Sequence, residues 1–361
     1  MIPKRLRLGR GLIGVIALAA AVVLGGCGSV GGTTPTTPPS LVALLLPDNT
    51  TSRWEGQDRP NLIAAFKKHS PSTTVVVYNA LNDPSKQQSQ AEAALAKGAK
   101  VLIVIPVDAV AAASIVTEAH QQKVPVIAYS RLIKNTNLDY FIGKDSEAVG
   151  KIQGQWLADH TKTGDNIALI NGSPTDNNAH LFNKGYMSVL KPLFDSNERH
   201  LVGDLWTDGW DPAKAQEEME QVLTKTSNNV QGVLSANDGM AGGVIAALRE
   251  HNLAGKVPVT GLDATLAGTQ RILLGTQGMS VLQPIPVFAD DAAQLSVFLI
   301  KGEKPPADFF QSVTKNGAVD VPTVFVPTVP ITKDNIQVLI QNGLYTKADL
   351  CKDIPAGTGP C

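Results

Sequence analysis

The sequence has no excess of charge of either sign and no long hydrophobic run, and each absence excludes a class of protein. Lys and Arg together number 31 and Asp and Glu number 32, so the formal net charge is −1. This balance does not supply the basic field that nucleic-acid binding needs. The apolar run over residues 12–24 is shorter than the about 20 residues of a transmembrane helix. We therefore expect neither a nucleic-acid partner nor a membrane-spanning anchor.

The sequence also lacks motifs that identify common enzyme classes. It contains neither a Gly-x-Ser-x-Gly elbow nor a His-Glu-x-x-His zinc motif. Residues 143–151 look like a phosphate-binding loop only superficially, because their glycines are too far apart and Ile152 stands where Ser or Thr is required. The six histidines are scattered and form no set of metal ligands. We expect no enzymatic activity, no metal and no other cofactor, although the paired carboxylates of a glycosidase leave no fixed spacing in a sequence.

The N-terminus has the three parts of a secretory signal. Basic residues up to Arg10 come before the apolar run, which closes with the small residues Gly25 and Gly26 before Cys27. Cys27 in this position resembles the lipobox of bacterial lipoproteins, in which the signal is cut before a cysteine that then carries a diacylglyceryl group. The resemblance implies a signal peptide over 1–26 and a lipid-anchored tether over 27–40, where small residues, Thr and Pro cannot form a core. We expect the mature protein outside the cytoplasm, at the cell surface or in the periplasm.

Cysteine is otherwise confined to the C-terminal tail. Cys351 and Cys361 both lie in residues 346–361. Two nearby cysteines outside the cytoplasm usually pair, so we expect a disulfide that closes a small terminal loop. Two free thiols on a loose end are the alternative.

From residue 41 onward, short apolar runs alternate with helix-forming segments, and the alternation occurs twice. Strands are predicted at 41–46, 73–78, 101–105 and 124–129, and again at 167–170, 202–205, 230–234 and 257–260. Near-continuous apolar strands with helices between them indicate parallel sheets covered on both faces. About 320 residues are too many for one ordinary core. The sequence therefore predicts an α/β protein with two doubly wound lobes.

Polar side chains and tryptophans follow the predicted strands. Doubly wound sheets bind ligands outside the carboxyl ends of their strands, so these residues are candidates for a site between the lobes. Carboxylates, amides and guanidiniums suit the hydroxyls of a sugar, and indoles pack on its C–H faces. The candidate ligand-binding residues are Arg53, Trp54, Ser130, Arg131, Asn177, Asn178, Trp210, Asn237, Asp263 and Gln283.

Several of these residues have a structural alternative. Asn237 could do no more than cap the next helix, and Arg53 could be a surface residue. Trp206 directly follows a strand and could belong to the core, so we favour Trp210 as the indole that stacks on the ligand. The prediction of a sugar rests on the set as a whole.

The sequence resembles bacterial xylose-binding proteins of sugar ABC transporters, in the ribose/galactose-binding group. The stretches that carry the resemblance are 172–182, 202–210, 235–243 and 261–268. It implies a type I periplasmic binding protein fold, with two lobes joined by three crossover segments that close on the sugar. It further implies that the sugar site is lined by Arg53, Arg131, Asn178, Trp210, Asn237 and Asp263.

The resemblance also suggests the boundaries of the two lobes. The first lobe is expected over 41–143 plus 278–303, and the second over 144–277 plus 304–345.

The sequence differs from the family pattern at two positions of the expected sugar site. Ser130 stands where the family carries Asp, and Gln283 stands where it carries Lys. Losing one carboxylate and one ammonium predicts that xylose is bound weakly or not at all and that another aldose or a polyol is preferred.

These observations predict a monomeric, lipid-anchored protein that captures a monosaccharide and delivers it to the permease of an ABC transporter. A protein of the same build could present the sugar to a chemoreceptor or a sensor kinase instead. A secreted enzyme that acts on glycans is the remote alternative.

Overall fold

A computed structural model describes residues 40–361, so the predicted signal peptide and Cys27 lie outside the described residues. The strands are β1 (Leu41–Leu46), β2 (Thr74–Asn79), β3 (Ala99–Val104), β4 (Val126–Tyr129), β5 (Tyr140–Gly143), β6 (Asp165–Asn171), β7 (Arg199–Trp206), β8 (Gly232–Ser235), β9 (Ser280–Leu282), β10 (Ser312–Lys315), β11 (Asp320–Phe325) and β12 (Val329–Ile331).

Most helices connect consecutive strands, as in a doubly wound fold. They are α1 (Arg59–His69), α2 (Pro84–Ala96), α3 (Ala113–Gln121), α4 (Ser146–Asp159), α5 (Asn177–Asp195), α6 (Pro212–Thr226), α7 (Asp238–Glu250), α8 (Leu266–Leu273), α9 (Ile285–Lys301), α10 (Val338–Gln341) and α11 (Lys347–Leu350). A π-helical turn (Trp54–Asp58) leads directly into α1. Within residues 40–361, no helix is both long enough and apolar enough to cross a membrane.

The first lobe is built on a seven-stranded sheet of order β10-β11-β5-β4-β3-β1-β2. Its strands run parallel except β10, which is antiparallel to β11. Alternate residues of β1 bury themselves on opposite faces, with Leu44 in the core that includes Phe66 of α1 and Phe288 of α9. Leu45 lies in the core that includes residues of α2 and α3. Burial on both faces explains why these strands read as continuous apolar runs.

The second lobe has a parallel sheet of order β7-β6-β8, covered by α4 to α7. Single parallel bridges, Val233 with Val259 and Leu262 with Val281, continue this sheet toward the antiparallel pair β9-β12. The predicted strand over 257–260 is therefore reduced to one bridged residue, Val259.

The chain crosses between the lobes in three places: between β5 and α4, between β9 and α9, and between β11 and β12. The sheet pairing differs from the predicted lobe boundaries. Within 304–345, expected in the second lobe, β10 and β11 extend the first sheet beside β5. Within 278–303, expected in the first lobe, β9 pairs with β12 in the second lobe. The reason is physical: a short strand has the same apolar pattern whichever sheet edge it joins.

The C-terminal tail packs against the second lobe. Leu350 is fully buried in a small core with Leu273 of α8. Cys351 and Cys361 form a disulfide with an S–S distance of 2.07 Å. Burial of Leu350 in this core holds the tail against the second lobe, and the disulfide closes a small loop within the tail.

Candidate functional site

A cavity lies between the two lobes at the carboxyl ends of their strands. It is lined by Thr51, Arg53, Trp54, Ser130, Arg131, Lys144, Asp176, Asn178, Phe182, Trp210, Asn237, Leu262, Asp263 and Gln283. Every candidate from the sequence is among them except Asn177.

Asn177 lies outside this cavity and lines two grooves beside it instead. It is the first residue of α5, and its neighbour Asp176 caps that helix by accepting a hydrogen bond from the Asn178 backbone N–H. Successive residues of a helix point about 100° apart, so adjacent Asn177 and Asn178 do not both face one cavity. Asp176 and Asn178 take the two inward positions.

Five lining residues were not among the candidates: Thr51, Lys144, Asp176, Phe182 and Leu262. Lys144 directly follows β5, a strand that the sequence analysis did not recognise. Had β5 been identified, the rule that ligands bind at the carboxyl ends of strands would have indicated Lys144.

Arg53 is a buried residue that two carboxylates hold in place. Its Nε and Nη2 each donate to Asp58 at 2.8 Å, and its Nη1 lies 3.3 Å from Asp263 Oδ1. Only 2% of Arg53 is exposed, which rules out a surface role. Burial acts to lower the pKa of Arg53, but Asp58 and Asp263 outweigh it and the pKa is raised. The guanidinium is therefore a fixed charge that orients Asp263.

Arg131 links the two lobes across the cavity. Its Nε lies 2.8 Å from Asp176 Oδ2, and its Nη2 lies 3.6 Å from Asp48 Oδ2. Its guanidinium carbon is 5.2 Å from the ring centre of Trp54 and 5.9 Å from that of Trp210. A cation between two indoles is a favourable arrangement and holds both rings in position.

Trp210 lies in the cavity, and Trp206 does not. The Trp210 ring packs directly on Gly172, where a Cβ atom would collide with the indole. Trp206 packs on His180 with ring centres 4.7 Å apart. Of these two indoles, it is Trp210 that lines the cavity, together with Trp54.

The side-chain amides of Asn237 and Gln283 each form a hydrogen bond to another residue of the protein through one of their two polar atoms. Asn237 Oδ1 accepts from the backbone N–H of Met240 at 2.9 Å, which caps α7. Gln283 Nε2 donates to Asp263 Oδ1 at 2.6 Å. The capping role of Asn237 is thus real, and the residue lines the cavity as well.

Several buried polar atoms of the lining residues have no hydrogen-bond partner within residues 40–361. They are Thr51 Oγ1, Trp210 Nε1, Gln283 Oε1 and Asp176 Oδ2, the last of which is in ion-pair contact with Arg131. Leaving such a group buried and unpaired costs about 1–3 kcal/mol. A ligand that both donates and accepts hydrogen bonds at close spacing would remove this cost.

Three lining residues have a left-handed backbone. The φ angle is +62° at Ser130, +58° at Trp210 and +97° at Asp263. This conformation is uncommon for residues other than glycine and costs of order 1–3 kcal/mol each, and such strain concentrates at functional sites. Its presence at three residues around one cavity supports a binding role for this cavity.

Direct hydrogen bonds join the lobes around the cavity. Thr50 Oγ1 and Asn82 Nδ2 of the first lobe donate to the Gly209 carbonyl of the second, at 3.0 and 3.2 Å. The Ala109 backbone N–H donates to the Thr175 carbonyl at 3.0 Å. The described lobes are therefore closed on each other.

The chemistry of the cavity suits binding without bond cleavage. The carboxylates of Asp176 and Asp263, which line it, are both engaged by arginines. Residues 40–361 contain no group of three or more His, Cys, Asp or Glu that could hold a metal ion.

Comparisons with known proteins are consistent across most of the chain. The periplasmic binding protein domain matches residues 42–304. The D-xylose-binding periplasmic protein of Escherichia coli is 39% identical over 310 residues, covering 86% of this chain and 92% of that protein. The multiple sugar-binding periplasmic receptor of Rhizobium radiobacter is 31% identical over 329 residues, covering 86% and 92%. A carbohydrate transporter solute binding protein from Chloroflexus aurantiacus, solved with D-glucose, has a TM-score of 0.79 and 31% identity, covering 85% and 97%.

Proposed function

The chain belongs to the periplasmic binding protein domain family, and we propose that it captures a monosaccharide between its lobes and delivers it to the permease of an ABC importer. The predicted resemblance and the predicted fold class, a type I periplasmic binding protein, are confirmed. The protein is a substrate-binding protein and not an enzyme.

The observation that carries the proposal is the set of unpaired polar atoms beside an indole in a closed cavity. Trp210 Nε1 can donate, Gln283 Oε1 can accept, and Thr51 Oγ1 can do both. A pyranose presents neighbouring hydroxyls that donate and accept, together with C–H faces that pack on the ring of Trp210.

The sugar proposed is an aldose similar to xylose or glucose. The relatives named above bind D-xylose or several sugars by name, or were solved with D-glucose. Ser130 is shorter than the Asp of the family pattern and leaves room for the hydroxymethyl group that distinguishes a hexose from a pentose. This supports glucose or another hexose over xylose.

The place of action proposed is the outer side of the cytoplasmic membrane. The basic N-terminus, apolar run and Cys27 support a lipid anchor, and they lie outside the described residues. A tether of small residues, Thr and Pro would let a monomeric binding protein reach a permease in the same membrane.

A thermal unfolding screen tests the proposal. The purified protein is heated with D-xylose, D-glucose, D-galactose, L-arabinose or xylitol. A ligand that binds only the native protein stabilises it by about 2.7 kcal/mol at a hundredfold excess over Kd. We expect a rise in Tm with at least one aldose and no chemical change in the sugar. No shift with any sugar, or conversion of the sugar, would contradict the proposal.

A matched pair of tryptophan variants locates the binding. Trp210→Ala removes the stacking face and should weaken binding by about tenfold or more. Trp206→Ala, an indole of the same lobe outside the cavity, should bind as the wild type does. Equal loss in both variants would place the sugar elsewhere.

A further inference from the structure

Lys144 is a cation of the cavity that has no carboxylate partner. It lies on the crossover between β5 and α4, and only 4% of it is exposed. Its Nζ lies 3.4 Å from the Ser130 carbonyl and 3.5 Å from Ser130 Oγ, at the outer limit of hydrogen bonding. Among residues 40–361, no carboxylate oxygen lies within 4.0 Å of it. In contrast, Arg53 and Arg131 are each paired with carboxylates.

The groups that face Lys144 come from every segment around the cavity. Arg53 and Arg131 are cations of the first lobe, and Asp176 and Asp263 are anions of the second. Burial, with smaller contributions from Arg53 and Arg131, lowers the pKa of Lys144, Asp176 and Asp263 oppose the shift, and the resulting pKa is about 7. The side chain is therefore poised between its charged and neutral forms near neutral pH, with its hydrogen-bonding capacity largely unused.

The residues around Lys144 fix where its ammonium points. Its Nζ lies over the ring of Phe182, 5.5 Å from the ring centre. Asn178 Nδ2 already donates to the Ser130 carbonyl at 2.8 Å, so that oxygen is shared between two donors. An ammonium has three donors and no acceptor. The residues around Lys144 therefore leave its ammonium without a full set of acceptors, and a ligand oxygen beside Nζ would supply one.

Charge balance indicates a neutral ligand rather than a sugar acid. Two buried carboxylates, Asp176 and Asp263, line the cavity, and two more, Asp48 and Asp58, lie behind it in contact with its arginines. Against these carboxylates stand the two arginines and Lys144, so one net negative charge is left even when Lys144 is protonated. A ligand carboxylate would add a second uncompensated charge to a closed site, which is costly.

We propose that the Lys144 ammonium donates a hydrogen bond to a hydroxyl or ring oxygen of a neutral sugar, and that sugar capture is therefore coupled to uptake of a proton from solvent. This inference rests on the proposed function. It gives Lys144, on the crossover between β5 and α4, a role in selecting the ligand. A ligand oxygen stabilises the ammonium form, so the pKa of Lys144 is higher in the complex than in the free protein.

The sign of the pH dependence follows from this linkage. Below pH 7 Lys144 is protonated in both states, and binding is strongest. As the pH rises above 7, the free protein loses the proton that the complex keeps, and affinity falls by up to about tenfold per pH unit. The carboxylates of Asp238 and Asp291, whose pKa values burial raises to about 6, titrate below this window.

Calorimetric titration from pH 6.5 to 9 tests the proposal with D-xylose, D-glucose and D-glucuronate. At pH 8 the binding heat is compared in phosphate and in Tris, which differ in ionisation enthalpy and so report proton uptake. The wild type should take up a fraction of a proton and lose affinity for the neutral sugar above pH 7. Lys144→Met should bind about ten- to a hundredfold more weakly at pH 6.5, with a flat profile and no proton uptake.

Two further variants separate binding from structure. Lys144→Arg keeps the charge and does not titrate in this range, so its profile should be flat whatever its affinity. Lys151→Met removes an exposed lysine of α4 and should behave as the wild type does.

The outcomes distinguish this inference from the proposed function. If the wild type binds a neutral sugar and Lys144→Met matches it at every pH, only the role of Lys144 is overturned. Tighter binding of D-glucuronate than of D-glucose would overturn it as well, because the partner of the ammonium would then be a carboxylate. If no sugar binds the wild type, both proposals fail.

Discussion

Ser130 stands where the family carries Asp, and the structure changes how this exchange is interpreted, because it shows which charged groups lie beside position 130. The sequence suggests that the Ser130 and Gln283 exchanges are coupled, since restoring either alone would add an unmatched charge. The structure provides each position with an opposite charge. Lys144 Nζ lies 3.5 Å from Ser130 Oγ, and Gln283 Nε2 already contacts Asp263 at 2.6 Å. Replacing Ser130 alone by Asp would therefore place the new carboxylate beside the Lys144 ammonium.

Ser130→Asp should strengthen xylose binding by itself. The left-handed backbone at this position, with φ of +62°, suits Asp better than most residues. The new carboxylate can accept hydrogen bonds from sugar hydroxyls and pair with Lys144, whose pKa should rise above 7. We expect about tenfold tighter binding of D-xylose than in the wild type, measured by calorimetry at pH 7. Unchanged or weaker xylose binding, in a variant that remains folded, would refute this account of position 130.

The residue scale also shows which parts of the site a sequence predicts. Residues that follow a recognisable strand, such as Arg53, Arg131 and Asp263, could be found by the rule that ligands bind at strand ends. Asn177 lies outside the cavity and Asp176 takes the inward position, because the direction of each side chain depends on the residue at which α5 begins, which the sequence does not show. Lys144 was missed because its strand was missed.

At the scale of elements, long apolar strands were predictable and short ones were not. The predicted strands over 41–46 and 73–78 agree with β1 and β2 within about a residue. β5 and β9 have four and three residues, too few to show a period in the sequence. Strands β10 and β11 follow α9 in the chain, yet they join the first sheet through pairing that only the three-dimensional fold determines.

The loops after β1, β2 and β7 form a contact that exists only when the lobes are closed. Thr50 and Asn82 both donate to the Gly209 carbonyl. Asn82→Gly removes one donor and tolerates the local φ of +64°. Because a hydrogen bond contributes about 0.5–1.5 kcal/mol, this variant should bind about two- to tenfold more weakly, through faster dissociation.

Stopped-flow tryptophan fluorescence measures that dissociation rate. Asn252→Gly is the matched control, since Asn252 is exposed, has a φ of +58° and lies in the loop after α7. An unchanged rate in Asn82→Gly, or the same change in both variants, would show that this contact does not hold the lobes together.

At the scale of the whole molecule, two crossovers also carry residues that line the cavity. Lys144 lies between β5 and α4, and Gln283 lies between β9 and α9. A residue on a crossover moves when the lobes move relative to each other. Contact between the sugar and these two residues would therefore link occupancy of the cavity directly to closure.

A crystal structure of the protein grown with a saturating concentration of the sugar that raises its Tm tests the central claim most directly. The account predicts one sugar in the cavity between the lobes, with a C–H face on Trp210 and hydroxyl groups on Trp210 Nε1 and Gln283 Oε1. A sugar bound at any other place on the molecule, with this cavity holding only water, would contradict it.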